Sequence, residues 1–241
     1  MSFIGRLFNS SLPVDISGIT DWHSHLLPGV DDGVKTIDES ISILSAMEKA
    51  GIRRVWLTPH IMEDIPNTTE ELKARFSKLY SSYGGSIRLK LASENMIDGL
   101  FAERLAARDL LPIGENSDML LVETSYFNPP MNFDKTIENI KAAGFTPLVA
   151  HPERYTYVTD YGEYQRWKDM GCAFQLNLLS LGGHYGGKAR HNALELLKNR
   201  MYDFAGSDIH RAAHLESLKK IRIPGKLADE VASLLARKDF V

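Results

Sequence analysis

The sequence lacks several features that would place it in a specialised class of protein. It has a single cysteine, Cys172, so disulfides do not hold the fold together. Its 28 lysine and arginine residues are outnumbered by 31 aspartate and glutamate residues, so no general positive charge attracts nucleic acid. No apolar run reaches the roughly 18 residues that a membrane helix needs, and residues 1–15 are too short and too interrupted for a secretory signal. We therefore expect a cytoplasmic protein without stable insertion into a membrane.

The position of Cys172 excludes one phosphatase mechanism. A cysteine-dependent phosphatase needs an arginine six residues after its nucleophile, and Leu178 occupies that position here. We expect Cys172 to be a small buried residue.

What the chain does have is a regular alternation of short apolar segments with longer amphipathic ones. In residues 36–51, for example, Ile41, Leu44 and Met47 recur at helical spacing. About seven such strand–helix units follow one another without a Pro-, Ser- or Gly-rich linker. With 44% hydrophobic residues in 241, the chain is long enough for one large core. We expect one domain over residues 1–241, with an N-terminal extension over residues 1–17.

The order of these units predicts the fold class. Strands that alternate with helices favour a parallel sheet covered by helices, and seven or eight units close most naturally into a TIM-like α/β barrel. An open doubly wound sheet is the structural alternative.

Histidines and carboxylates follow the carboxyl ends of the predicted strands. They are His23, His25, Asp32, His60, Glu94, Glu123, His151, Asp208 and His210. In a parallel barrel these positions converge on one rim, where the fold builds its active sites. Nine imidazoles and carboxylates gathered there would crowd like charges and lose their water, and metal ions would supply the missing positive charge. The pattern therefore predicts a metal cluster.

Each element of this pattern also has a simpler interpretation. The pair His23-x-His25 by itself fits an ordinary polar turn as well as a metal site, and a single histidine after a strand is often only a hydrogen-bonding residue. The two-residue spacing recurs at Asp208-x-His210, which favours the metal interpretation when the strand ends are taken together.

The remaining polar candidates are less specific. Arg154 is a candidate phosphate clamp, because a guanidinium fork matches phosphate oxygens; the alternative is a surface arginine paired with Glu153. We expect His184, His191 and His214 to be structural or solvent-facing, with His184 the exception if its glycine-rich loop touches a substrate.

Several segments together resemble a known family. They are DWHSHLLPGVDDG (residues 21–33), TPH (58–60), a glutamate after the third strand, LVET (121–124), AHPERY (150–155) and GSDIH (206–210). Between about Ile19 and about His210 the chain resembles the polymerase-and-histidinol-phosphatase (PHP) superfamily. Within it, the chain is most similar to the bacterial manganese-dependent protein-tyrosine phosphatases of capsule and exopolysaccharide loci.

The resemblance implies a distorted barrel that holds three metal ions. The implied ligands of the first ion are His23, His25, Glu94 and Asp208. Those of the second are Glu94, Glu123 and His151, with Glu94 bridging. Those of the third are Asp32, His60 and His210, and Asp31 is an acceptable substitute for Asp32. Arg154, His60 and His210 are the expected catalytic residues. Mn²⁺ is the expected ion, although Fe²⁺ and Zn²⁺ also suit these donors.

The function implied by the resemblance is hydrolysis of phosphotyrosine in a protein. The expected partner is a bacterial tyrosine kinase whose tail regulates capsular or exopolysaccharide synthesis. Two alternatives remain open. One is a PHP phosphatase that acts on a small metabolite such as histidinol phosphate, and the other is a non-catalytic, metal-stabilised binding module.

Overall fold

The computed structural model describes residues 11–237. Most of the expected N-terminal extension, residues 1–10, lies outside the described residues. The part that is described is attached to the body of the protein, because strand β1 (Ser11–Pro13) pairs antiparallel with strand β11 (Arg222–Pro224).

Parallel strands form the centre of the fold. They are β2 (Thr20–Asp21), β3 (Arg54–Leu57), β4 (His60–Ile61), β5 (Arg88–Leu91), β6 (Glu94–Met96), β7 (Met119–Glu123), β8 (Thr146–Ala150), β9 (Ala173–Asn177) and β10 (Phe204–Gly206). One sheet has the order β2-β3-β5 and the other has the order β4-β6-β7-β8-β9-β10. The second and third predicted strands are thus each divided in two, as β3/β4 and β5/β6. Pro59, which has no N–H to donate, lies in the first division.

The two sheets together curl into a barrel, and the segment after β2 bonds to the segment after β10. After β2, the N–H of His25 donates to the carbonyl of Ile209 at 2.9 Å, and the N–H of Asp208 donates to the carbonyl of His23 at 2.8 Å. On its other side this segment accepts a hydrogen bond at Ser24 O from the N–H of Thr58. The prediction of a distorted barrel of about seven parallel units is confirmed, and the open doubly wound alternative is wrong.

Helices cover the outside of the barrel. Those of the described residues are α1 (Ile37–Lys49), α2 (Thr69–Ser82), α3 (Gly99–Ala107), α4 (Phe133–Ala142), α5 (Tyr161–Asp169), α6 (Leu178–Leu181), α7 (Gly186–Lys198), α8 (Ala212–Leu218) and α9 (Ala228–Leu235). A 3-10 turn, Pro152–Arg154, follows β8. Within residues 11–237, no helix combines the length and the apolar character needed to cross a membrane.

The residues inside the barrel form a floor beneath its mouth. In β7, Met119 and Leu121 belong to a small inner cluster, whereas Leu120 and Val122 pack outward against the helices. Trp22 also lies in the inner cluster, with its ring centroid 4.4 Å from that of Phe204 and 6.0 Å from that of Trp56. Because side chains alternate along a strand, the residue two positions beyond an inner apolar residue also faces inward. Glu123 follows Leu121, and Asp208 follows Phe204 by four positions, so both reach the mouth above this floor.

Closure of the barrel depends on Gly206. A Cβ atom at this position would lie 2.4 Å from the Cβ of His23 and 2.8 Å from its backbone nitrogen. We predict that Gly206→Ala, assayed without added metal, lowers the free energy of unfolding by about 1–3 kcal/mol, because the two closing strands must separate. Urea titration measures the change. Gly84→Ala, where nothing lies within 4 Å of the added atom, is the matched control. An unchanged midpoint for Gly206→Ala would contradict this account of the closure.

Candidate metal centre

His23 and His25 enter the mouth of the barrel from the segment after β2. The Nδ1 atom of His23 lies 2.8 Å from Gln175 Oε1, and that of His25 lies 2.8 Å from Asp31 Oδ2. With both Nδ1 atoms acting as donors in these bonds, both Nε2 atoms would present lone pairs, and they lie only 3.0 Å apart. Two facing lone pairs repel each other unless a cation lies between or beside them. The two outer hydrogen bonds therefore orient both rings as metal ligands.

Glu94, at the start of β6, lies at the centre of the site. Its side chain is fully buried. Its Oε2 atom lies 3.1 Å from His23 Nε2, 3.3 Å from His25 Nε2 and 3.1 Å from His60 Nδ1. Its other oxygen, Oε1, lies 2.9 Å from His151 Nε2. One carboxylate thus faces imidazoles that arrive from three different strand ends.

Asp208, after β10, completes the inner part of the site. Its Oδ1 atom lies 3.3 Å from His25 Nε2 and 3.6 Å from His23 Nε2. Its Oδ2 atom accepts hydrogen bonds from Arg154 and from the side-chain amide of Asn177, at 2.9 and 2.8 Å. The backbone of Asp208 has φ +54°, a left-handed conformation that a residue with a Cβ adopts only at a cost.

Buried atoms without hydrogen-bond partners test whether metal ions fit this site. His60 Nδ1 and Glu123 Oε1 lie 3.0 Å apart, yet neither makes a hydrogen bond, and His151 Nδ1 is likewise buried without one. Buried polar atoms are ordinarily paired. The close, unpaired nitrogen of His60 and oxygen of Glu123 are what a metal site requires, so the residues fit the predicted ions.

Asp32 and His210 form the outer edge of the site. Asp32 Oδ1 lies 3.2 Å from His210 Nε2 and 3.6 Å from His60 Nε2, and the Asp32 side chain is 65% exposed. Asp31, the substitute for Asp32 considered above, points elsewhere: its Oδ2 atom contacts His25 and accepts the N–H of His60 at 3.1 Å.

The structure brings all nine predicted donors together at one mouth of the barrel. Three sets have donor atoms within 4.8 Å of one another. These sets are His23, His25 and Glu94; His60, Glu94 and Glu123; and His25, Asp32, His60 and His210. The donor set is that of a multinuclear metal site. These sets differ from the implied division in three details. Asp208 is missing from the first set, His60 stands in the second set where His151 was expected, and His25 joins the third.

Charges in the site are strongly coupled. Burial favours the neutral form of Glu94, but His23 and His60 outweigh it and hold the pKa of Glu94 well below its usual range. Burial and His25 oppose protonation of His60, but Glu94 and Glu123 outweigh them and raise the pKa of His60 to about 9. Glu94 is therefore ionised, as a ligand must be, and without metal His60 compensates negative charge in the site by holding a proton.

Arg154 lies beside the donors on the 3-10 turn after β8. Its guanidinium carbon lies 4.3 Å from the ring centroid of Tyr126 and 3.9 Å from that of Tyr185. Its ion pair is with Asp208 rather than with Glu153. Glu153 is buried and accepts hydrogen bonds from other residues, among them Ser180 Oγ at 2.7 Å. The alternative of a surface pair between Arg154 and Glu153 is thus wrong.

Some residues of the site were not predicted from the sequence. Gln175 and Asn177 lie two positions apart on the inner face of β9. Polar residues at alternate positions of an otherwise apolar strand are a sequence signal for a polar inner face. Tyr126 and Tyr185 carried no comparable signal. His214, expected to be structural or solvent-facing, is buried and lines the cleft together with the exposed His184.

Seven of the nine donors, all but His23 and His25, line one open cleft of about 420 Å³ together with Arg154 and the two tyrosines. Fold and site together define a class: an α/β barrel with a buried multinuclear donor cluster at the carboxyl ends of its strands. The family model described as "Capsular polysaccharide synthesis, CpsB/CapC" matches residues 19–222. The chain belongs to this family.

Individual relatives agree with this assignment. The tyrosine-protein phosphatase YwqE of Bacillus subtilis is 26% identical over 195 residues, which cover 79% of this chain and 76% of the relative. The tyrosine-protein phosphatase CpsB of Streptococcus pneumoniae is 28% identical over 208 residues, which cover 79% and 82%. The fold is similar to crystal structures reported for YwqE and CpsB, "unique metal-dependent tyrosine phosphatases", with a TM-score of 0.70, 24% identity, and coverage of 89% of this chain and 86% of the other.

The charge coupling makes metal binding depend on pH. Ligation requires a neutral imidazole, so a metal ion must displace the proton that His60 holds below its raised pKa. We predict that Mn²⁺ binding releases protons and becomes tighter as the pH rises from about 6 towards 9. Calorimetry in two buffers of different ionisation enthalpy counts the protons. In Glu94→Gln the affinity for Mn²⁺ should fall at every pH. An affinity for Mn²⁺ that does not change with pH in the unaltered protein would contradict the prediction.

Proposed function

We propose that this chain is a metal-dependent phosphatase that hydrolyses phosphotyrosine in proteins, with Mn²⁺ as its ion. One observation carries the proposal: a buried multinuclear donor cluster and an arginine fork meet in a single open cleft. The assignment to the CpsB/CapC family and the tyrosine-protein phosphatase activity of the relatives support it.

Phosphoryl transfer requires positioning and charge neutralisation more than covalent chemistry. Metal ions bound by the nine donors would supply positive charge to the phosphate oxygens and activate water. Arg154 offers the guanidinium fork that matches phosphate oxygens. Because two aromatic rings and Asp208 already fix this guanidinium, it loses little conformational freedom when phosphate binds.

His60 and His210, assigned both to metal binding and to catalysis, line the cleft. The Nδ1 atom of His210 lies 2.9 Å from the carbonyl oxygen of Asp208, and donation to that carbonyl orients its Nε2 atom towards Asp32 and the cleft. We assign both rings to contact with the reacting phosphoester. Tyrosine has a pKa near 10 in water, so its phenolate leaves without strong assistance from an acid.

The substrate we propose is a phosphotyrosine-bearing protein, in particular the tail of a bacterial tyrosine kinase that controls capsular or exopolysaccharide synthesis. The description of the family supports this choice of pathway. An open cleft at the barrel mouth also gives an extended protein segment direct access to the donors.

The decisive experiment measures phosphate release with Mn²⁺. We predict turnover of a phosphotyrosine peptide and at least about a hundredfold loss in His23→Ala/His25→Ala and in Glu94→Gln, which remove ligands directly. Histidinol phosphate is assayed in parallel, and preference for it would replace the protein substrate by a metabolite. Bound Mn²⁺ without turnover of either compound would leave only the non-catalytic module.

The arginine clamp gives an independent prediction. Arg154→Lys keeps the positive charge but loses the fork and its stacking, and we expect kcat/KM to fall by about a hundredfold. Tyr185→Leu should cost about tenfold, whereas Tyr185→Phe, which keeps the ring, should cost less. Arg75→Lys, at an exposed position of α2, is the matched control. Equal rates for Arg154→Lys and Arg75→Lys would refute the clamp.

A further inference from the structure

Two methionines lie one step outward along the strands that carry His60 and Glu94. Strands β4 and β6 pair in parallel with His60 opposite Glu94 and Ile61 opposite Asn95. The next residues along the two segments are Met62, just past the end of β4, and Met96, the last residue of β6. Side chains two positions apart point to the same face, and both methionines therefore face the mouth of the barrel like the two donors. The lining of the cleft includes both of them.

This pair is the apolar part of a polar cleft. Among the described side chains that line the cleft, only Met62 and Met96 contain neither nitrogen nor oxygen. Each is half-buried. Neighbouring strands lie about 4.8 Å apart, so the two thioether side chains lie near each other in the cleft that seven of the donors also line.

We propose that Met62 and Met96 form the subsite for the aromatic ring of an aryl phosphomonoester. The proposal rests on the phosphatase function proposed above and names two residues that would give it a preference for aryl esters. When the phosphoryl group lies at the donors and Arg154, the organic part of the ester extends outward across the two thioethers. Sulfur–aromatic contacts are favourable. The methylene of a serine phosphoester offers no ring to contact, so the subsite distinguishes aryl from alkyl esters.

The two tyrosine rings of the cleft already contact the phosphate clamp. The rings of Tyr126 and Tyr185 each have a face covered by the Arg154 guanidinium. A substrate ring that stacked there would compete with the clamp that its own phosphate needs. The methionine pair has no such conflict.

The test compares two phosphonates, which cannot be hydrolysed, on the Mn²⁺-loaded full chain. Calorimetry gives the dissociation constants of phenylphosphonate and methylphosphonate. In Met62→Ser/Met96→Ser we expect phenylphosphonate to bind about tenfold more weakly and methylphosphonate to change by less than about twofold. Met62→Leu/Met96→Leu keeps an apolar surface and should retain most of the phenylphosphonate affinity. Met131→Ser, at a methionine that is 90% exposed and outside the cleft, should change neither constant.

Two results would overturn the subsite: equal weakening of both phosphonates, or unchanged binding of phenylphosphonate. Mn²⁺ content and melting temperature are measured for each variant, and if the double serine variant loses metal, Met62→Ser and Met96→Ser are compared singly by the same criterion. Phosphotyrosine hydrolysis by the unaltered chain is measured separately. Methionine-dependent phenylphosphonate binding without such hydrolysis would refute the phosphatase function and leave the subsite in place.

Discussion

The burial of Glu94 is the constraint on which the rest of the site depends. A carboxylate removed from water is costly unless other charges or hydrogen bonds replace its hydration. Glu94 has imidazole nitrogens of four histidines within 3.3 Å, from His23, His25, His60 and His151. These histidines come from three distant segments of the chain, each of which follows a different strand. A sheet whose strands all end at one mouth brings them to the same carboxylate. The donor cluster therefore depends on the closed parallel barrel.

The same requirement explains why the backbone is strained at the mouth. His151 and Asp208 both have positive φ, +34° and +54°, and each such conformation costs about 1–3 kcal/mol. His151 comes directly after β8 and Asp208 comes two residues after the end of β10, where the chain must turn while the side chain still points inward. Gln175 and Asp31 then fix the rings of His23 and His25 from outside. Backbone strain and outer hydrogen bonds thus act together, the first placing the donors and the second orienting them.

The sequence predicts this architecture well because its main signals are local. Apolar strands at regular intervals predict the barrel, and a polar residue at a strand end is visible without knowledge of any partner. The partners themselves are not visible in this way. Whether Asp31 or Asp32 faces the outer edge depends on the path of one loop, and the pairing of Arg154 with Asp208 joins residues 54 positions apart. The burial of His214 depends likewise on packing that no local pattern encodes.

Metal donors and the residues proposed to contact the organic part of the substrate follow one another along β4 and β6 with the two-residue period of a strand. His60 and Glu94 occupy one level, where charge and hydrogen bonding are strictly constrained by their neighbours. Met62 and Met96 lie two positions further along these two chain segments and belong to none of the three sets of donors. The same separation does not extend to β7, because its donor Glu123 pairs in register with Met96. Along the segments of β4 and β6, a change at either methionine alters the surface proposed to meet the organic part of a phosphoester while His60 and Glu94 keep their partners.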